Sequence, residues 1–206
     1  MKARILATTA IAALSIAAAT GSPAMAQTSQ TEEAAMAAAY FANDSTLPFN
    51  TPDFDAISED AYVPAFETGM AIQKGEIDRI INNPEAPTFE NTIVALEKSG
   101  RMLGRVARVF FALTGSNSTD RLDEINTMIS PKLTAHGDSI TLNPELFERV
   151  KAVYDNRASM TMTPEDAKLL ENTYDGMVQS GALLTDSERE RVKEINSELS
   201  TLTTEF

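Results

Sequence analysis

The chain has 206 residues, with 17 Lys plus Arg against 30 Asp plus Glu, a formal net charge of −13, one His and no Cys. So acidic a polypeptide lacks the clustered cations that displace counterions from phosphates, which argues against nucleic acid as a partner and against anionic membrane surfaces. Without cysteine there is no disulfide framework, no thiol nucleophile and no thiolate metal ligand.

The chain opens with "MKARILATTAIAALSIAAATGSPAMA". Lys2 and Arg4 precede an apolar run over 5–19, and small residues end at Ala24-Met25-Ala26. This is the layout of a secretory signal peptide over 1–26, with cleavage expected after Ala26 and a periplasmic destination. The run is too short and too rich in alanine for a stable membrane span, which needs about 20 strongly apolar residues. Residues 27–57 mix small and polar residues with Pro48 and Pro52 and read as an extended lead-in, with Leu47 and Phe49 as candidate anchors on a neighbouring surface.

From 58 to 206 the punctuation is helical. "SEDAYVPAFETGMAIQKGEIDRIINNP" places Tyr62, Phe66, Met70, Ile77, Ile80 and Ile81 on one face. Pro64 falls near the first turn, where a missing N–H costs little, and Asn82-Asn83-Pro84 ends the helix. Thr88 is an N-cap, Glu90 complements the helix dipole, and Phe89, Ile93, Leu96, Leu103, Val106, Phe110 and Leu113 form one stripe. Unbroken to about Thr114, this helix would span about 40 Å at about 1.5 Å per residue. Gly100 and Gly104 are expected either to admit a neighbouring helix or to allow a bend, packing being the preferred reading. "GSNSTD" at 115–120 is a turn. A helix through Leu122, Ile125, Ile129, Leu133, His136 and Ile140 comes next, with a kink expected at Pro131. Asn143-Pro144 and Thr163-Pro164 start two more helices, Gly181 suits the left-handed residue after the second, and Thr185 with Glu188 makes a capping box for the last. Strand alternation and hairpin signals are absent, so the expected fold class is all-α: packed antiparallel helices joined by turns rich in Pro, Asn and Gly. In the last helix Val192, Ile195, Leu199, Leu202 and Phe206 keep their spacing to the final residue without a closing signal. We read this as a segment of a longer helical protein; a short helix that simply stops there is the alternative.

Catalytic chemistry is scarce. His-Glu-x-x-His needs two imidazoles and the chain has only His136, placed on an apolar face between Leu133 and Ile140 and read as a hydrogen-bonded boundary residue. There is no Gly-x-Ser-x-Gly elbow and no glycine-rich phosphate loop. The pairs Glu32–Glu33, Glu59–Asp60 and Glu165–Asp166 fall in the lead-in or in first helical turns, where acids complement the dipole. Asn91, Glu97, Lys98 and Asn172 are polar helix positions that could line a groove, although spacing alone does not set them apart from surface residues. No catalytic, cofactor-binding or metal residue is therefore assigned within this chain.

Longer strings say more. "AYVPAFETGM", "EIDRIINNPEAPTFENTIVALEKSG", "VFFALTGSN", "PKLTAHGDSI", "LNPELFERVKAVYD", "LLENTYDGMVQSGALL" and "EINSELSTLTTEF" occur in consistent order from about Leu47 to Phe206. Together they resemble the amino-terminal part of the peptidyl-dipeptidase branch of the thimet oligopeptidase and oligopeptidase A family of zinc metallopeptidases. The resemblance implies a nearly all-helical fold with a deep channel, one wall of which these helices would form, admitting short peptides. It also implies a carboxy-terminal catalytic half of the same protein as partner, holding the zinc cofactor, with release of carboxy-terminal dipeptides as the activity of the complete form. None of the family's metal or catalytic positions falls in this chain. By this reading the segment alone is inactive. The rival reading is an autonomous, non-catalytic periplasmic helical module that binds peptides.

Overall fold

The computed structural model describes residues 39–205; the proposed signal peptide, the first part of the lead-in and Phe206 lie outside them. Among the described residues every regular element is helical, as expected. Helix α1 is Tyr62–Ile81. Helix α2 is wound as a π-helical turn over Phe89–Val94 and continues as Ala95–Glu97. Beyond it lie α3 (Arg101–Ser116), α4 (Asp120–Thr141), α5 (Pro144–Asp155), α6 (Pro164–Ser180) and α7 (Asp186–Glu205).

The starts of these helices have local chemical causes. Thr88 Oγ1 accepts the Asn91 N–H (3.1 Å) while Asn91 Oδ1 accepts the Thr88 N–H (2.8 Å), closing a capping box. Asn143 and Thr163 cap α5 and α6, each with proline next at the first helical position. Thr185 and Glu188 exchange the expected bonds at the start of α7, and the accepted backbone N–H holds the Glu188 carboxyl below its ordinary value. Gly181 ends α6 at φ 111°.

Two hydrophobic cores share α1. Its first half supplies Tyr62 and Phe66 to a cluster with Val106 and Phe110 of α3 and Ile125 and Ile129 of α4. Phe110 sits at its centre, with ring centroids 5.1 Å from Tyr62 and 5.3 Å from Phe66, both edge-on. The second half of α1 brings Ile77 and Ile80 against Ile93 of α2, Leu146 and Val150 of α5 and Leu170 of α6. There Tyr154 and Tyr174 stack at 3.9 Å, and the Arg157 guanidinium lies over the outer ring. Each of these buried side chains contributes about 1.5–3 kcal/mol by leaving water.

The middle of α1 joins the two cores. Gly69 lets α3 come close: a Cβ there would lie 3.0 Å from the Leu103 Cα. Four residues on, Gln73 Nε2 donates to Ser99 Oγ (3.3 Å), and Glu76 accepts the Gly100 N–H (2.7 Å). These contacts lie at the point where the expected single helix from 88 to 114 is in fact two. Gly100 adopts φ 68°, and the chain breaks between α2 and α3. Gly100 gives the bend, as a left-handed junction against which the Gln73 side chain of α1 packs directly; Gly104 faces only the end of Arg108, and the backbones of α1 and α3 come together at Gly69.

Other expectations shift as well. The turn after α3 is shorter than 115–120, because Gly115 and Ser116 remain helical and Thr119 caps α4 by accepting the Leu122 N–H. Leu47 and Phe49 do not anchor the lead-in: Phe49 is fully exposed on left-handed backbone and Leu47 is 43 % exposed, outside both cores. The anchor is Phe41, 2 % exposed in the first core, held by Arg105, whose guanidinium donates to the carbonyl oxygens of Phe41 (2.7 Å) and Ala42 (2.5 Å). Packed structure therefore begins ahead of residue 58.

Candidate functional site

His136 sits where α4 crosses the middle of α1, half-buried, its Nε2 2.8 Å from Gln73 Oε1. Because Gln73 Nε2 is committed to Ser99, its Oε1 faces the imidazole, so Nε2 carries the proton and donates. Burial lowers the His136 pKa from its ordinary value. This is the boundary histidine expected from the sequence, tying α4 to the α2–α3 junction.

Glu59, Asp60 and Asp166 serve structural roles. Glu59 accepts from Thr119 (2.8 Å) and Asp60 pairs with Arg121 (2.7 Å), clamping the start of α1 to the start of α4, and Asp166 closes the α6 capping box. Glu32 and Glu33 lie outside the described residues. Ser118 donates to Asp123 and Ser116 to the Ala112 carbonyl, so the "GSNS" hydroxyls serve helix ends. Among the described residues no three His, Asp or Glu side chains converge as a metal site would require. With the one imidazole hydrogen-bonded to Gln73, the described residues do not fit a zinc site.

Of the four polar helix positions, the structure brings two together. Asn91 and Lys98 share a shallow groove of about 360 Å³ with Arg79 and Asn83, although Asn91 is chiefly engaged in its capping box and in a bond to the Ala86 carbonyl. Glu97 and Asn172 are exposed and do not line it. A larger cleft of about 770 Å³ opens between the segment 39–54 and α3, lined by Tyr40, Phe54, Arg105, Arg108 and Val109. Tyr40 Oη braces this segment by accepting the Asp53 N–H. Nothing local in the sequence signals this cleft, because Tyr40-Phe41 and Arg105 stand more than sixty positions apart.

Helix α7 presents the third feature. It packs chiefly on α4, where Asn196 Nδ2 donates to Asp138 Oδ1 (2.8 Å). Its half-buried positions include Val192, Asn196, Ser200 and Thr204, whereas Ile195, Leu199 and Leu202 are 40 %, 55 % and 53 % exposed. No helix among the described residues is long and apolar enough to cross a membrane.

This all-helical chain is related to known peptidases. It is 41 % identical over 166 residues, 81 % of its length, to the dipeptidyl carboxypeptidase of Escherichia coli (strain K12), and 39 % identical over 164 residues to the protein of that name in Salmonella typhimurium. It is more distantly similar to Escherichia coli oligopeptidase A, at 22 % over 164 residues. No family model matches the chain. The chain spans about a quarter of the length of each of these relatives, 24 % in all three.

Proposed function

We propose that this chain is the amino-terminal, non-catalytic portion of an exported zinc metallopeptidase of the dipeptidyl carboxypeptidase type. In this reading the two-core helical framework forms part of the wall of a channel that admits short peptides, and the complete protein removes dipeptides from their carboxy termini. Zinc and the groups that act on the peptide bond belong to the partner, the carboxy-terminal catalytic half of the same protein. Residues 1–26 direct it to the periplasm, and residues 27–57 lead into the helical region that continues to 206.

The observation that carries this reading is the 41 % identity, over most of the chain, to a dipeptidyl carboxypeptidase of which the chain spans only 24 %. The frame of the described residues supports it: His136, Glu59, Asp60, Asp166 and the capping residues are engaged in holding helices together, which suits a wall.

A chimera tests it. The Escherichia coli dipeptidyl carboxypeptidase, with its matched quarter replaced by this chain, is expected to release carboxy-terminal dipeptides from a blocked tetrapeptide. The isolated chain is expected to release none and to hold no stoichiometric zinc. Dipeptide release by the isolated chain, or a folded chimera without activity, contradicts the proposal. Saturable binding of the tetrapeptide by the isolated chain would favour the autonomous module instead.

A further inference from the structure

The amphipathicity of α7 points away from its only extensive neighbour among the described residues. Asn196, Ser200 and Thr204 recur at helical spacing among its half-buried residues, and the one interhelical bond it makes to α4 is between side chains, Asn196 to Asp138. Ile195, Leu199 and Leu202, also at helical spacing, lie roughly a third of a turn around the helix from that face, at about 100° per residue. A helix that packed to satisfy its own apolar stripe would have turned it toward α4. Here a largely polar face meets α4, with Val192 half-buried beside it, and Ile195, Leu199 and Leu202 are left partly exposed.

We propose that the Ile195–Leu199–Leu202 face of α7 is the docking surface for the catalytic half of the complete protein. This rests on the functional reading above and adds to it the place of contact. Two observations select that occupant. Three quarters of the relatives' length has no counterpart in this chain, which makes a further part of the same polypeptide the natural occupant. And the stripe is small: burying the remaining exposed surface of three such side chains removes on the order of 200 Å² of apolar surface at the usual value per side chain. A stable dimer of free copies needs about 800 Å² per partner. A covalently linked segment, held at an effective concentration of about millimolar, docks on a patch that a separate copy does not hold.

The absence of cysteine from the chain makes the test direct. Leu199→Cys and, as a control beside the stripe, Glu198→Cys are placed in the isolated chain and in the chimera, and maleimide labelling of the α7 peptide is followed by mass spectrometry. In the isolated chain both positions label fast. In the chimera Leu199→Cys is expected to slow by roughly tenfold or more while Glu198→Cys changes less than about twofold. Equal labelling of Leu199→Cys in the two proteins overturns the proposal. Protection in the isolated chain also overturns it, and assigns the face to a second copy if it grows with concentration or to residues 1–38 if it disappears when they are removed. Dipeptide release is read on the same chimera: activity with Leu199→Cys unprotected sinks the docking surface and leaves the functional reading standing, and protection without activity does the reverse.

Discussion

Helices α3 and α7 carry apolar stripes of the same spacing and meet opposite fates. In α3, Val106 and Phe110 are fully buried beneath α1 and α4, Met102 and Val109 nearly so, and Gly69 opposite lets the backbones close up. In α7 Ile195, Leu199 and Leu202 remain about half exposed while mainly polar side chains face α4. A period of 3.6 residues says that a helix has a face to bury; it does not say what buries it. The difference separates what this chain folds around from what it presents.

The sharpest way to break the comparison is to truncate one residue of each stripe. Phe110→Ala is expected to cost the isolated chain about 3–5 kcal/mol, whereas Leu199→Ala should stay within about 0.5 kcal/mol; urea midpoints read both. Similar losses at the two sites would mean that α7 is already covered.

The glycines around α3 give the next largest effects. Gly69→Ala drives a Cβ to 3.0 Å from backbone in Leu103, and Gly100→Ala combines φ 68° with a clash at Gln73. Each should destabilise by about 1–3 kcal/mol. Gly104→Ala, which meets only the end of Arg108, should instead gain up to about 1 kcal/mol from helix propensity. Thermal melts of the three variants check the order.

A smaller effect concerns Tyr62, packed on Phe110. Its hydroxyl is buried without a hydrogen-bond partner among the described residues, and burial, with Tyr40 and Glu59 nearby, pushes its pKa up to about 12. The unfolded chain releases that proton near 10, so stability is lost as pH rises from about 10 to 12. Tyr62→Phe should remove this alkaline loss and at neutral pH match the parent or exceed it by up to about 1 kcal/mol, because an unsatisfied hydroxyl is removed.

The smallest effect belongs to His136, on the α4 segment near which α7 packs. Its folded pKa lies below the unfolded 6.5, so the unfolded state takes up the proton first as pH falls. The stability it supports is complete above about 6.5 and declines below that value toward the lowered folded pKa. His136→Gln should flatten this acid limb in pH-dependent melts; an unchanged slope would show that other groups cause it.

The parts legible in sequence were those with local causes. Thr88, Asn143, Thr163 and Thr185 start helices through atoms three residues away, and Gly181 ends one through its own φ. What escaped depended on distant partners. Gly100 breaks a helix because Gln73 and Glu76 hold the junction from α1, and Phe41 rather than Phe49 is buried because Arg105 captures the carbonyls beside it. Of the site, the engaged state of His136 could be anticipated from its position; the partners of Glu59 and Asp60 on α4, the cleft under segment 39–54 and the partial exposure of the α7 stripe could not, since all depend on which face a neighbour occupies.

The most direct measurement is dye fluorescence of the isolated chain against Ile195→Ser/Leu199→Ser/Leu202→Ser. The parent should bind a hydrophobic dye and still melt cooperatively, and the triple variant should lose most of the dye signal with its melting midpoint nearly unchanged. A parent that binds no dye, or a variant that binds as much, would contradict the claim that α7 holds a face open for a partner.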